Sequence, residues 1–419
     1  MSEQHIVVVG AGIIGLACAY ALIREGVAVT MVDSDPDGDK ASYGNAGGIA
    51  VTEVMPASAP GVAWRAIGWM LDPLGPIAVR PMQAPKLLPW LAAFAKAGAM
   101  DEVERISGAL AAINGRVYDD LLPILEETGL SGELHRDGAL SIYETPEGLR
   151  RDAAEWARKR ALGILAEEIS SSEAREMEPA LGPLAYAAVW TPQWSRVSDP
   201  RHLAQRLAAW LRGAGVTISR GMVQNIAAPS GGTSEVCLSD GRMIVADAVV
   251  VAAGAWSGIL ARKLGDRVLL ESERGYTMTI ASPAIVVARE LIFAERKFVA
   301  TPLRCGLRIG GMAEFGGLHA RANFERSKIL ATLATRYLPG LRTTDGTCWA
   351  GHRSTTPDSL PVIGRSPHRA NVYYAFGHGH LGLTQAATTG RLVAELVSGR
   401  PTSIDIAPFG IGRFGRAAH

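Results

Sequence analysis

Three glycines near the start of the chain, Gly10, Gly12 and Gly15, stand as G-x-G-x-x-G within VVVGAGIIGLACAYAL. The motif directly follows an apolar run, His5 to Val9, that reads as a strand. It opens a helix expected from about Ile14 to Glu25, and a second strand from Val27 to Val32 completes a βαβ unit. Each glycine has a task. Gly10 permits a tight turn, Gly12 lets the backbone approach a pyrophosphate, and Gly15 lets helix and strand pack closely. The helix N-terminus, with Ile13 and Ile14, offers free N–H groups and partial positive charge to the phosphates. Asp33 ends the second strand, ~20 residues past the loop, where a carboxylate binds ribose hydroxyls; Ser34 follows it. That carboxylate disfavours a 2′-phosphate and so NADP. A bare glycine triplet also serves as a plain strand–helix turn, but here strand, helix and acidic residue stand in register, and a bound dinucleotide is the expectation.

The chain around this unit has 419 residues, more than one compact core usually organises, so two domains are expected. With 42 basic and 41 acidic residues there is no electrostatic case for nucleic acid as a partner. Cys18, Cys237, Cys305 and Cys348 show no metal or redox spacing and read as reduced thiols of a cytoplasmic protein; no metal site is expected. The apolar stretch at Ile6 lacks a basic n-region and a cleavage site, so it is not read as a secretion signal. No apolar run reaches the ~18 residues of a membrane-spanning helix.

Residues 56–100 are rich in Pro, Trp, Ala and Leu, with Pro73, Pro76, Pro81, Pro85 and Pro89 expected to break them into short pieces. Helical periodicity runs from about Met100 to Glu127, Thr145 to Leu162, Pro200 to Gly213 and Lys328 to Tyr337. Val216–Ile218 and Gly221–Ile226 read as strands. Val236–Leu238 and Met243–Val245 form a hairpin about Asp240-Gly241. Val249–Ala252 reads as a strand buried on both faces. Residues 267–315 carry strand-like runs, and from Val372 the chain returns to strand, glycine turn and helix. The nucleotide-binding pieces are therefore scattered through the chain.

Five stretches resemble the D-amino-acid oxidase and dehydrogenase family of FAD-dependent oxidoreductases. VVVGAGIIGLACAYAL with SYGNAGGI at 42–49 resembles its first cofactor segment, and VVVAAGAWS at 249–257 its second cofactor strand and turn. RGYTMTI at 274–280 resembles the segment that carries a tyrosine above the flavin. GHRSTTPDSLPVIGRSP at 351–367 resembles its substrate-arginine loop, and GHGHLGLTQAATTG at 377–390 its closing flavin contact. The nearest likeness is to bacterial D-amino-acid dehydrogenases and their D-hydroxyproline-oxidising relatives. The resemblance implies an α/β fold: a Rossmann-like FAD-binding domain (1–55, 196–265 and 345–419) with an interleaved antiparallel-sheet substrate domain (56–195 and 266–344).

It also implies roles. Ser42, Asn45, Ala46, Gly47 and Gly48 would form a small polar loop against FAD. Neither His nor Cys occurs at 42–48, so non-covalent FAD is expected. Val223 would grip the adenine through its backbone, and Ala253, Gly254 and Trp256 would line the second cofactor turn. Gly377, His378, Gly379, His380, Leu381, Gly382 and Thr384 would form a glycine-rich turn into a helix whose N-terminus faces the flavin edge that becomes negative on reduction. Arg353 would hold the substrate carboxylate, for which its planar fork is suited. Tyr276 would lie over the substrate side of the flavin, although a core tyrosine fits the pattern equally well. His352 and His380 are softer candidates, since a lone histidine is more often a structural hydrogen-bonder.

The implied reaction breaks Cα–H of a small amino or imino acid, passes hydride to flavin N5 and leaves an imine. Quinone or oxygen would take the electrons. Three alternatives stay open: an oxygen-using glycine- or sarcosine-type amine oxidase, other small substrates, and a non-catalytic FAD-binding subunit. The apolar 56–100 region leaves room for a partner subunit or a peripheral place on the inner face of the cell membrane.

Overall fold

The computed structural model describes residues 4–58, 68, 75–229 and 232–415. A six-stranded sheet carries the order Thr217–Arg220, Ala28–Asp33, His5–Val9, Ala248–Val251, Val372–Phe376, Val362–Arg365. The first five are parallel and the last is antiparallel. Strands covered on both faces need no alternation, and Ala248–Val251 and Val372–Phe376 are buried at every position. The expected hairpin forms between Ser234–Leu238 and Met243–Ala246, with Gly241 at φ 88° in its turn. Together with Val223–Ala227 it makes a separate three-stranded sheet.

Helices Ile13–Arg24 and Gly382–Val397 cover one face of the parallel sheet. They cross so closely that a Cβ on Gly390 would sit 2.4 Å from the Ala17 carbonyl oxygen. The last helix is buried nearly all round, and two of its polar residues are paired inside: Gln385 donates to Asn114 Oδ1 (3.0 Å) and Thr389 Oγ1 meets His378 Nε2 (2.9 Å).

The second unit is built on a larger, mainly antiparallel sheet, in the order Gly346–Thr355, Glu271–Ile280, Gly306–Phe315, Phe298–Leu303, Glu290–Phe293, Ala139–Tyr143, Ala187–Thr191, Glu167–Ser170. Ile77–Val79 adds to Gly306–Phe315. Gly346–Thr355 pairs along its whole length with Glu271–Ile280. This corrects the expected boundary: residues 346–355 belong to the substrate sheet, and the chain returns to the cofactor unit after them. Sequence gave no warning, because an edge strand and a connecting loop share the same mixed composition.

Two other expectations change in detail. The helix expected over 100–127 is two, Met100–Asn114 and Val117–Glu127, separated at Gly115 and Arg116. Of the proline-rich stretch, residues 59–67 and 69–74, Pro73 among them, lie outside the described residues. Within the remainder, the strand Ile77–Val79 is followed by a continuous helix, Ala84–Ala97, that runs through Pro85 and Pro89. Pro85 stands in the first turn, where no backbone N–H bond is lost, and Pro89 forfeits one. The four cysteines are free.

Gly390→Val would force the two cofactor-side helices apart. We expect a loss of about 3 kcal/mol and a fall in melting temperature of roughly 5 °C or more. An unchanged melting curve would show that the helix crossing yields without cost.

Candidate active site

The C-terminal ends of His5–Val9, Ala248–Val251 and Val372–Phe376 lie side by side, because the three strands are parallel neighbours. Each runs into a glycine turn: Gly10 (φ 108°), Gly254 (φ 55°), and Gly377 and Gly379 (φ 84° and 53°). These turns border one cavity of about 1310 Å³ that extends under the large sheet. That exceeds the ~300–1,000 Å³ of ordinary ligand clefts and leaves room for a dinucleotide and a second small molecule.

The first glycine loop is built as the sequence implies. A side chain on Gly10 would strike Ala252 O at 2.4 Å, and one on Gly15 would strike Gly10 O at 2.0 Å. Gly12 faces open space and caps the first helix without a side-chain bond. Gly12, Ile13 and Ile14 all line the cavity, as do Asp33 and Ser34. Asp33 also holds the loop. Its Oδ2 accepts from Ala11 N (2.7 Å), and its Oδ1 from Asp35 N (2.8 Å) and Lys40 Nζ (3.1 Å).

In the 42–48 loop, Ser42, Asn45, Ala46 and Gly48 reach the cavity. Gly47 (φ 99°) does not; its missing side chain makes room for Leu303 and the Val197 carbonyl. Asn45 Oδ1 accepts from Gly47 N (2.7 Å) and so shapes the turn. Arg308, which the sequence did not single out, clamps this loop from behind. Its Nη1 donates to Tyr43 O (3.0 Å) and Asn45 O (2.7 Å), and its Nε to Thr279 Oγ1 (3.0 Å). Trp349 stacks between Gly44 and Gly351, where any Cβ would collide with its ring.

Val223, Ala253, Gly254 and Trp256 line the second part of the cavity, and His378, Gly379, His380 and Gly382 a third. Gly377, Leu381 and Thr384 stand behind the lining. Gly377 turns the chain, Leu381 is buried, and Thr384 Oγ1 accepts from Ala50 N (2.9 Å), tying the last helix to the first cofactor segment.

The residues fit an FAD. Gly12 and Gly254 leave space that any larger residue would fill. Two buried hydroxyls on the lining, Ser42 Oγ and Thr277 Oγ1, have no hydrogen-bond partner among the described residues. Buried polar groups are seldom left so unless a ligand completes them.

The substrate side is set by the large sheet. Glu273, Gly275 and Thr277 face the cavity along one strand, and Arg353 comes from its neighbour. Arg353 lies over Gly275, whose absent side chain makes the space. Its Nη1 donates to Glu273 Oε1 (2.7 Å) and Met312 O (3.2 Å). Among the described residues Nη2 and Nε have no partner, so donors remain for a ligand carboxylate.

Tyr276 corrects the expectation placed on it. Side chains alternate along a strand, and Tyr276 points away from Glu273, Gly275 and Thr277 into the core on the sheet's other face. There its hydroxyl donates to Glu314 and accepts from Asn323 N (3.0 Å). The core-tyrosine reading is the one the geometry supports.

His352, His378 and His380 are each held below the usual histidine pKa, chiefly by burial. His352 is lowered to about 4, helped by Arg274 and His319, and bonds Ser272 Oγ through Nδ1 (2.6 Å). His378 is lowered to about 3. His380, an exposed residue that lines the cavity, is lowered by burial of its ring, while Glu53 and Glu273 oppose the loss of charge. At neutral pH His352 and His378 are uncharged hydrogen-bonding groups, as the bland reading of a lone histidine has it.

Sequence reasoning missed a polar wall of the same cavity. Lys159, 3% exposed, binds Glu53 (3.1 Å) and Glu155 (3.3 Å) and lies over Trp156. Glu290, 2% exposed, accepts from Trp194 Nε1 (3.0 Å). Lys159 stands in a helix end rich in basic residues, which reads as a solvated face. Glu53 alone could have been noticed, as an acid close behind the 42–48 loop. Among the described residues no cluster could hold a metal ion, and no helix is long and apolar enough to cross a membrane.

A family model described as DAO, FAD dependent oxidoreductase, matches residues 5–396. This chain belongs to the DAO family of FAD-dependent oxidoreductases. It is 34% identical to a D-amino-acid oxidase of Bradyrhizobium diazoefficiens, over 98% of this chain and 99% of that protein. It is 31% identical to a D-amino acid dehydrogenase of Sinorhizobium medicae, over 98% and 100%. Among solved structures, glycine oxidase from Geobacillus kaustophilus superposes with TM-score 0.73 at 24% identity, over 98% of this chain and 99% of that one. L-proline dehydrogenase from P. horikoshii does so with TM-score 0.75 at 20%, over 98% of each. These two show the shared fold. For this DAO-family chain the cofactor is FAD, and the cavity that the three glycine turns border is the candidate site for it.

Burial raises the Glu290 carboxyl from 4.5 to about 7. A folded-state pKa above the unfolded one gives stability that is present below 4.5 and is lost as pH rises through 7. We expect wild-type stability to fall by on the order of 3 kcal/mol between pH 4.5 and 8 from this group, and Glu290→Gln to flatten that slope. Denaturant titrations across pH check it; parallel slopes in both proteins would remove the assignment.

Proposed function

We propose that this chain oxidises a small D-amino or imino acid at its α-carbon, with the substrate carboxylate held by Arg353. Two relatives named for D-amino-acid oxidation and alignable end to end support the substrate class; a cyclic substrate such as D-hydroxyproline falls within it. The observation that carries the reading is Arg353: a guanidinium inside the cofactor cavity, steadied by Glu273 through one nitrogen, with donors left over.

FAD, when bound, supplies the two-electron acceptor for the hydrogen on Cα. The protein's part is to bind, orient and keep dry. Glu273 fixes the plane of Arg353, and Arg353 fixes the carboxylate and so the direction of Cα–H. Trp90, Phe94 and Phe315 form an apolar wall that excludes water. The amine reacts neutral, since its lone pair drives departure of the hydrogen, and no positioned general base is required. The product is an imine, or a ring C=N from a cyclic substrate; an acyclic imine hydrolyses to keto acid and ammonia.

The electrons pass on to a quinone or to oxygen. Exposed Met82, Leu88 and Leu91, on and just before the helix Ala84–Ala97, give an apolar surface suited to a peripheral place on the inner face of the cell membrane.

Arg353→Lys keeps the charge and loses the fork. We expect the KM for D-amino acids to rise about a hundredfold with flavin content unchanged. Steady-state kinetics with a D-amino acid that bleaches the wild-type flavin anaerobically make the test; an unaltered KM sinks the role of Arg353. FAD is held without a covalent bond, so acid-precipitated protein should have the mass of the bare polypeptide. A gain equal to FAD would show otherwise.

A further inference from the structure

The polar wall of the cavity has no part in holding the cofactor loops or the substrate carboxylate. Glu53, Asp152, Glu155 and Glu290 line it, against Lys159 and Lys297; with Glu290 raised to about 7 and only partly charged at neutral pH, the excess of negative charge is smaller than the residue count. Such an excess alone selects nothing, but three details give it direction. Lys159 is buried and holds Glu53 through Oε1 only; among the described residues no donor reaches Oε2, and the carboxylate is part-exposed on the cavity side. Burial pushes the Glu53 carboxyl up, but Lys159, His380 and Lys297 together outweigh it and keep Glu53 below the usual carboxylate range, so that free oxygen is a charged acceptor. Ser141, 5% exposed, adds a hydroxyl to the same wall.

The wall lies within electrostatic reach of the carboxylate anchor. His380 lines the same cavity, and the charges of Glu53, Lys159, Glu273 and Arg353 all act on it. A small molecule with its carboxylate on Arg353 therefore shares one cavity with Glu53, to which its side chain can be presented.

We propose that Glu53, steadied by Lys159, is a specificity-determining residue that selects an amino or imino acid bearing a hydrogen-bond donor, a hydroxyl or an ammonium group, on its side chain. This rests on the α-carbon oxidation proposed above and names the substrate class within it. A buried charged acceptor left unmet by an apolar side chain costs ~1–3 kcal/mol, which is about ten- to a hundredfold in selectivity. An ammonium group gains further from the excess of carboxylates, whereas a hydroxyl gains only the hydrogen bond.

The test uses the FAD-loaded enzyme and pairs of equal size: D-ornithine against D-norleucine for the ammonium group, D-serine against D-2-aminobutyrate for the hydroxyl. At least one donor-bearing member should exceed its partner in kcat/KM by about tenfold or more. Glu53→Gln, which keeps an acceptor and loses the charge, should abolish an ammonium preference and retain part of a hydroxyl preference. The double variant Glu53→Met with Lys159→Met, which leaves no unpaired charge, should abolish both. Equal rates within both pairs in the wild type, or a preference that survives the double variant, overturns the proposal. If the double variant does not fold, a preference unaltered in Glu53→Gln with both pairs does so instead.

A binding arm separates this outcome from failure of the oxidation reading. 5-Aminopentanoate and hexanoate have equal length, and neither has an α-amine to oxidise. The first should perturb the flavin spectrum at about tenfold lower concentration than the second, and Glu53→Gln should erase the difference. No bleaching by any of the four amino acids would sink the oxidation, whereas equal binding of the two acids would sink the role of Glu53.

Discussion

Everything in this molecule depends on parallel pairing between strands that lie far apart in the chain. Val9 stands beside Val251, and Val251 beside Tyr374. Because the strands run the same way, their C-terminal ends emerge together, and the turns after them share one crevice. Gly10, Gly254 and Gly379 are neighbours for that reason alone. Were one of these strands antiparallel, its turn would emerge at the opposite edge and the cradle would lose a wall.

The second sheet answers a different demand. It must roof a long cavity without filling it, and it does so with absent side chains. Gly275 makes space for Arg353, and Gly44 and Gly351 for Trp349. The charges it brings inside are paired or neutralised. Arg353 has Glu273, Lys159 on the helix Pro146–Ala161 has two carboxylates, and Arg308, with no carboxylate bonded to it among the described residues, donates to carbonyls of the cofactor loop. Buried cations are costly unless bonded in this way, so each of these pairings also fixes a geometry.

The sequence displayed the cofactor half clearly, because its signals are local. A glycine loop, an acid ~20 residues on and a buried apolar strand are all read within one βαβ unit. The glycine turn at 377–382 was equally legible, and Arg353 became so through its surrounding motif. What stayed hidden depends on tertiary register. The direction of Tyr276 follows from strand parity, which a single tyrosine does not reveal. The membership of residues 346–355 follows from pairing with 271–280. Lys159 looks solvated until a helix is docked against Glu53. His352 and His378 illustrate the middle ground, since their types were visible and their neutral state came only with burial.

The cradle draws its parts from near residue 10, near 254 and near 380, and the helix that begins at Gly382 packs on the one that begins at Ile13. A nascent chain therefore exposes its first glycine loop long before the third turn exists. During synthesis the early βαβ unit can form by itself, but FAD has no complete seat until almost the whole polypeptide has left the ribosome. Cofactor capture is thus among the last events in this protein's biogenesis, and a chain truncated before that last helix would emerge without flavin.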